Sequence, residues 1–193
     1  MNNNIQKERT KRYFIDAAKE LINEIGIENL SVRKVGTKAG FSYATIYNYF
    51  KDLNTLLSFV ALDYLDDVYK YLLSFTDDSL SAVDQVKVYS KEYVNFMDNN
   101  KDIFRLVFIE DFGSTPKDIF IDRDEPLGLS TLLQESISKL YTGNLDEAMF
   151  AFQLIGSSIH GKLIFLIGNR DKATKEDIYK LIDSEVDFIL RRK

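Results

Sequence analysis

The chain has 193 residues, 45% hydrophobic and 28% charged, with no cysteine and a formal net charge of −5 at neutral pH. This suits a soluble protein of one or two small domains; it excludes disulfides, thiolate zinc sites and thiol nucleophiles, and argues against indiscriminate coating of nucleic acid. The start, MNNNIQKERTKRYF, lacks the apolar stretch of a signal peptide, and no run reaches the roughly 18 uninterrupted apolar residues of a membrane span, so a cytoplasmic location is expected.

Helix is predicted almost throughout. Only two prolines occur, Pro116 and Pro126, both in one stretch, and no run alternates as a strand does. A first helix over residues 7–25 carries Phe14, Ala18, Leu21, Ile22 and Ile25 on one stripe, and Gly26 ends it. Ser31 caps a short second helix with Val32, Val35 and Ala39 inward. Gly40 stops it, Phe41 plugs the turn, and Ser42 caps a third helix that points Ile46 and Phe50 into the core. Asp52 caps a fourth helix over 53–75, with a stripe through Leu57, Ala61, Tyr64, Leu65, Val68 and Leu72. A fifth follows over 80–99 and a sixth over 101–111. The proline-containing loop FGSTPKDIFIDRDEP comes next, then helices over 127–141, 145–168 and 175–191. The expected fold is all-α with about nine helices: a three-helix head over 1–51 and a six-helix body over 52–193.

Charge divides along the same line. Through Lys51 there are nine Lys and Arg against five Asp and Glu, a balance of +4; the remainder carries −9. A basic head on an acidic body confines any polyanion binding to one end.

Two short helices joined by a tight glycine turn have the form of a helix-turn-helix. The inward residues fix the angle between the helices. The third helix keeps Tyr43, Ala44, Thr45, Tyr47 and Asn48 outward, with Ser42 at its start. Small residues at 44 and 45 let a backbone come close. Thr and Asn can hydrogen-bond base edges, and Tyr hydroxyls and Lys51 can bind phosphate.

The stretch SVRKVGTKAGFSYATIYNYFK resembles the DNA-binding signature of the TetR family of bacterial transcriptional regulators. The resemblance lies in Ser31, Val32, Arg33, Val35, Gly36, Ala39, Gly40, Phe41, Ser42, Ala44, Ile46, Tyr47, Tyr49, Phe50 and Lys51. It covers about the first fifty residues; beyond them only the number and order of helices agree. Gly36 stands where the family usually has alanine, which should loosen the second helix by up to about 1 kcal/mol. Ala44 replaces a frequent glycine. The resemblance implies phosphate contacts from Tyr47, Tyr49 and Lys51, support from Arg33 and Lys38, and a groove-facing set of Ser42 to Thr45 with Asn48. Tyr49 has a second reading, packing in the head. Lys7, Arg9, Lys11 and Arg12 either reach an adjacent phosphate or minor groove, or form a frayed tail.

For the body, the apolar eighth helix and the stripe on the ninth are read as half of a four-helix dimer interface, which the resemblance also implies. Its residues are Ile155, Ile159, Leu163, Ile178, Ile182, Val186 and Ile189; the other reading makes helix eight the core of a monomer. The resemblance further implies a small largely apolar ligand among helices four to eight, with Tyr93, Met97, Phe104, Phe108, Phe112, Phe152 and His160 as candidates. Taken singly, each aromatic is as readily core. One histidine without cysteine gives no transition-metal site, no cofactor is expected, and the acids of the loop read as solvated. The sequence has no glycine-rich phosphate loop and no serine, histidine and acid arranged for catalysis, so an enzyme is not expected. The expected function is that of a homodimeric regulator, a repressor released from a palindromic operator by its ligand. An activator, a partner-controlled regulator without an inducer, and a helical interaction module are the alternatives.

Overall fold

The computed structural model describes residues 2–111, 128–169 and 172–190, with side chains from Ile5 onward. Among the described residues there are nine α-helices and no strand, the all-α class expected. They are α1 (Asn2–Ile25), α2 (Val32–Ala39), α3 (Tyr43–Ile46), α4 (Leu53–Leu73), α5 (Ala82–Asn99), α6 (Lys101–Phe108), α7 (Leu129–Ser138), α8 (Leu145–Ile167) and α9 (Lys175–Leu190), with a 3-10 turn at Ile27–Asn29. The long loop read over 112–126 lies outside the described residues.

Two expectations change. The first helix begins at Asn2, five residues earlier than the apolar stripe suggests, because polar residues continue a helix without marking its start. The third is a single turn and does not run to Phe50. After Ile46 the backbone tightens: Asn48 N–H donates to the Thr45 carbonyl (3.1 Å) and Tyr49 N–H to that of Ile46 (2.9 Å). This turn delivers Phe50 to the core, 1% exposed, before Asp52 starts α4. The Asp52 carboxylate accepts the Thr55 N–H at 2.8 Å, which holds its pKa below the usual carboxylate range.

The chain forms two compact groups, Met1–Tyr64 with Asp102–Asp124, and Leu65–Lys101 with Glu125–Lys193. In the first, α1 packs on α2 and α2 on α3. Phe14 is its centre, with ring centroids of Phe41, Tyr49 and Phe50 at 5.2, 5.7 and 6.4 Å, and Phe59 of α4 lies edge-on to Phe50. Val35, Ile46, Leu56 and Val60 are fully buried around these rings. A polar clamp adds to this packing. Asp63 of α4 accepts hydrogen bonds from Arg12 and Lys19 of α1, and Arg12 also pairs with Asp16 at 2.7 Å. Partial burial alone would push the Asp63 carboxyl up, but the two cationic donors outweigh it and hold its pKa down.

In the second group α5 packs on α7, α8 and α9, and α8 also packs on α7 and α9. Val86, Tyr89, Tyr93, Val94 and Met97 of α5 fill the interior with Ile155, Ile159, Leu163, Ile178, Ile182 and Val186. Ion pairs Lys87–Asp187 (2.7 Å) and Lys91–Asp183 (2.9 Å) join α5 to α9. Ser81 and Asn144 cap α5 and α8, and Thr174 and Asp177 exchange hydrogen bonds at the start of α9.

Candidate nucleic-acid interface

Local chemistry sets the turn between α2 and α3. Ser31 Oγ accepts the Lys34 N–H and Ser42 Oγ the Thr45 N–H, both at 3.3 Å. Gly40, at φ 77° and ψ 22°, takes the left-handed conformation that ends α2, and the Phe41 N–H then returns to the Gly36 carbonyl at 2.9 Å. Gly36 has a role the sequence reading missed. A Cβ there would lie 3.0 Å from both N and Cα of Tyr43 and 3.2 Å from the Phe41 carbonyl oxygen. The glycine lets α2 and α3 approach closely, so what reads as a loosened helix is also a tight crossing. No sequence signal distinguishes the two.

This turn leaves Ser42, Tyr43, Ala44, Tyr47, Asn48 and Lys51 exposed on one side of the head. Thr45 is half-buried, and its hydroxyl lies 2.9 Å from that of Ser42. Arg33 is exposed on α2, its guanidinium 5.7 Å from the Tyr43 ring centroid, so it adds positive charge beside the outward tyrosines. Tyr49 is half-buried against Phe14, which supports its packing reading for the ring.

The head's nine basic residues sort into two sets. Lys38, read as a phosphate support, is held by Glu24 at 2.6 Å and Glu20 at 3.1 Å, and these bonds raise its pKa above the usual lysine range. Its charge is answered on α1. Arg12 and Lys19 belong to Asp63, Lys11 sits 3.8 Å over the Phe59 ring, and Lys34 donates to the Asn29 carbonyl. Lys11 and Arg12 are therefore each held by a partner on α4. Lys7, Arg9, Arg33 and Lys51 make no ion pair among the described residues.

The candidate ligand residues are divided between the two groups. Tyr93 and Met97 are buried in the second group's core, and Phe104, buried, and Phe108, exposed, belong to the first group. Phe152 is half-buried, and Phe112 lies outside the described residues. His160 is part of a defined polar pair. Its Nδ1 donates to the Gly156 carbonyl (2.9 Å) and its Nε2 accepts from the Tyr93 hydroxyl (3.0 Å). Burial lowers the His160 pKa despite the bond to Gly156, and raises that of Tyr93, so both are neutral near pH 7.

The interface residues need correction too. Ile155, Ile159, Leu163, Ile178, Ile182 and Val186 are at most 3% exposed within a single chain, and Ile189 is half-buried, so this stripe is spent inside the protomer. The apolar residues that stay outside are Leu145, Met149, Phe150, Leu154, Ile164 and Phe165 on α8, with Leu181 and Phe188 on α9. Between these helices runs an open groove of about 270 Å³ lined by Gly161, Phe165, Ile178 and Leu181 and flanked by Lys162, which pairs with Glu185 at 2.6 Å. By length and composition alone, α8 is apolar enough to cross a membrane; here it is a partly exposed helix packed on three others.

A family model described as bacterial regulatory proteins, tetR family, matches residues 14–58, the head through the first turn of α4. An uncharacterised HTH-type transcriptional regulator of Haemophilus influenzae is 28% identical over 116 residues, 58% of this chain and 55% of that protein. The class D tetracycline repressor of Escherichia coli is 38% identical over 65 residues, 34% of this chain and 30% of that protein. The chain thus spans about half, or less, of the length of these relatives. The solved structure of the transcriptional regulator FadR from Bacillus subtilis in complex with stearoyl-CoA superposes with a TM-score of 0.62 at 18% identity, over 93% of this chain and 97% of that one. That identity speaks for the fold alone. The sequence match to the TetR family of bacterial regulatory proteins thus covers the helix-turn-helix, residues 14–58, and over nearly its whole length the chain shares the fold of the solved regulator.

Proposed function

We propose that this protein is a cytoplasmic, homodimeric, sequence-specific DNA-binding regulator, a repressor that leaves a palindromic operator when a small, largely apolar ligand binds its body. The observation that carries the reading is the outward set Tyr43, Ala44, Tyr47 and Asn48, held on a well-packed head inside the matched residues 14–58. In the major groove, Asn48 and Thr45 offer hydrogen-bonding groups to base edges, while Arg33, Tyr47 and Lys51 meet phosphates.

A dimer is supported by the exposed apolar side chains of α8 and α9, whose contact with water is unfavourable and which a partner would cover. Two heads on one dimer read two half-sites, which a single helix-turn-helix cannot do. Release by a ligand is supported by the relatives: one is named for tetracycline repression, and one solved neighbour holds stearoyl-CoA. Such a ligand acts by preferring the head spacing that does not fit the operator, with a coupling free energy typically of about 1–3 kcal/mol.

The test is binding to the DNA upstream of the protein's own gene, with a footprint and a salt series. A protected palindrome, with affinity falling steeply as salt rises, is expected. A monomer in solution that protects no DNA at any salt would overturn the reading in favour of a helical interaction module.

A further inference from the structure

Beside the turn that follows α3 the head carries a polar notch of about 240 Å³, lined by Gln6 and Lys7 of α1 and by Asn48 and Tyr49. Both walls are anchored. On one, the buried Thr10 hydroxyl donates to the Gln6 carbonyl at 3.0 Å and ties down that turn of α1. On the other, the Tyr49 ring rests on Phe14. The lining offers an ammonium, two carboxamides and a phenol, all able to donate hydrogen bonds, and contains no carboxylate. Lys7 makes no ion pair among the described residues, whereas Arg12, Lys19 and Lys38 are each claimed by acids of the head.

Donors surrounding one unanswered cation suit an oxyanion, and the location selects which. Tyr49 comes directly after Asn48, the last of the residues read as facing the groove, so a group seated here lies at the border of the reading surface. We infer that the notch holds one backbone phosphate of the bound DNA, and that Gln6 and Lys7 thereby carry the footprint beyond the helix-turn-helix onto the first helix. The inference rests on the DNA-binding reading above. Lys7 supplies charge and Gln6 supplies direction, and the contact positions the head without reading sequence, leaving the Asn48 carboxamide to the base edges.

The experiment uses the full-length protein on the DNA it protects and on unrelated duplex, between about 50 and 200 mM salt. For Lys7→Ala, binding should weaken by the same factor on both DNAs. The slope of log affinity against log salt should become shallower by about 0.9 per notch, roughly 2 for a dimer with two heads. Lys7→Arg should restore the slope. Gln6→Ala should weaken binding with no change in slope, and its effect should vanish in the Lys7→Ala background, since both residues hold one phosphate. Phosphate-ethylation interference should disappear at one position flanking each half-site in Lys7→Ala, and thermal melting should stay at the wild-type value. A wild-type footprint with an unchanged slope and unchanged interference in Lys7→Ala overturns the notch alone. Competition by millimolar inorganic phosphate that matches the loss in Lys7→Ala, with no interference position lost, assigns the notch to free phosphate and overturns the inference. A wild-type protein that protects no DNA overturns the regulator reading and the notch with it.

Discussion

The head and the last two helices dispose of their large apolar side chains in opposite ways. In the head the rings turn inward: Phe14 and Phe50 are buried, and the aromatics left outside are tyrosines, which carry a hydroxyl into water. On α8 and α9, Phe150, Phe165 and Phe188 are 53–63% exposed, although buried stripes already fill the inner faces of both helices. One region is finished as a folded unit and presents polar groups. The other has a buried core and, beyond it, a set of large apolar side chains left exposed among the described residues. An inner stripe reports folding; the outer one is the face that the proposed dimer would cover.

This contrast can be broken from either side. The largest expected effect is on the head's core. Phe14→Ala removes the ring that Phe41, Tyr49 and Phe50 pack on, and should cost about 3–5 kcal/mol in urea unfolding followed through the head. A cost under about 1 kcal/mol would mean that the aromatic cluster does not hold the head together.

Next comes the outer face. Phe165→Glu should leave helical content and melting nearly unchanged, yet weaken self-association by about 100-fold or more, on the order of 3 kcal/mol, in sedimentation equilibrium. Operator affinity should fall with it. Leu163→Ala, two positions back but inward, should do the reverse and lower stability by about 2–5 kcal/mol. An intact dimer in Phe165→Glu would remove this face from the interface.

The Asp63 clamp should give a smaller, pH-dependent change. Because hydrogen bonds from Arg12 and Lys19 lower the Asp63 pKa in the folded protein, its contribution is complete above the ordinary carboxylate range and is lost as pH falls through the lowered value. Asp63→Asn should therefore cost roughly 1–2 kcal/mol at pH 7. The stability curves of variant and wild type should converge on acidification; curves that stay parallel through acid pH would count against the clamp. Smallest of all is Gly36→Ala. Alanine gains up to about 1 kcal/mol in helix propensity, and the 3.0 Å approach to the Tyr43 backbone offsets it, so the net change in melting should fall below that gain. A full gain with unchanged DNA affinity would show that the turn yields freely.

The head was legible in considerable detail because its signals are local. Ser31, Ser42 and Asp52 cap the helices read from them, Gly40 takes the left-handed turn, and Phe14, Val35, Ile46 and Phe50 go inside. Two things there were not legible. The length of α3 depends on how the chain must bend to bury Phe50, and the partners of Lys11, Arg12 and Lys38 come from α1 and α4, up to 51 residues away in sequence. In the body the helices were legible and their faces were not. With apolar residues nearly all round α8, periodicity cannot say which side meets α5 and α7 and which faces outward, and the interface was assigned to the inner stripe.

By itself, then, the sequence determined the helices, their caps, the tight glycine turn and the basic head on an acidic body, all set by residues within a few positions of one another. Only the tertiary structure decided which cations are answered and which remain available, which apolar face of α8 is core, and that Gly36 sits at a close crossing. Those outcomes depend on distances between segments far apart in the chain, where burial and ion pairing are settled by packing and leave no local trace.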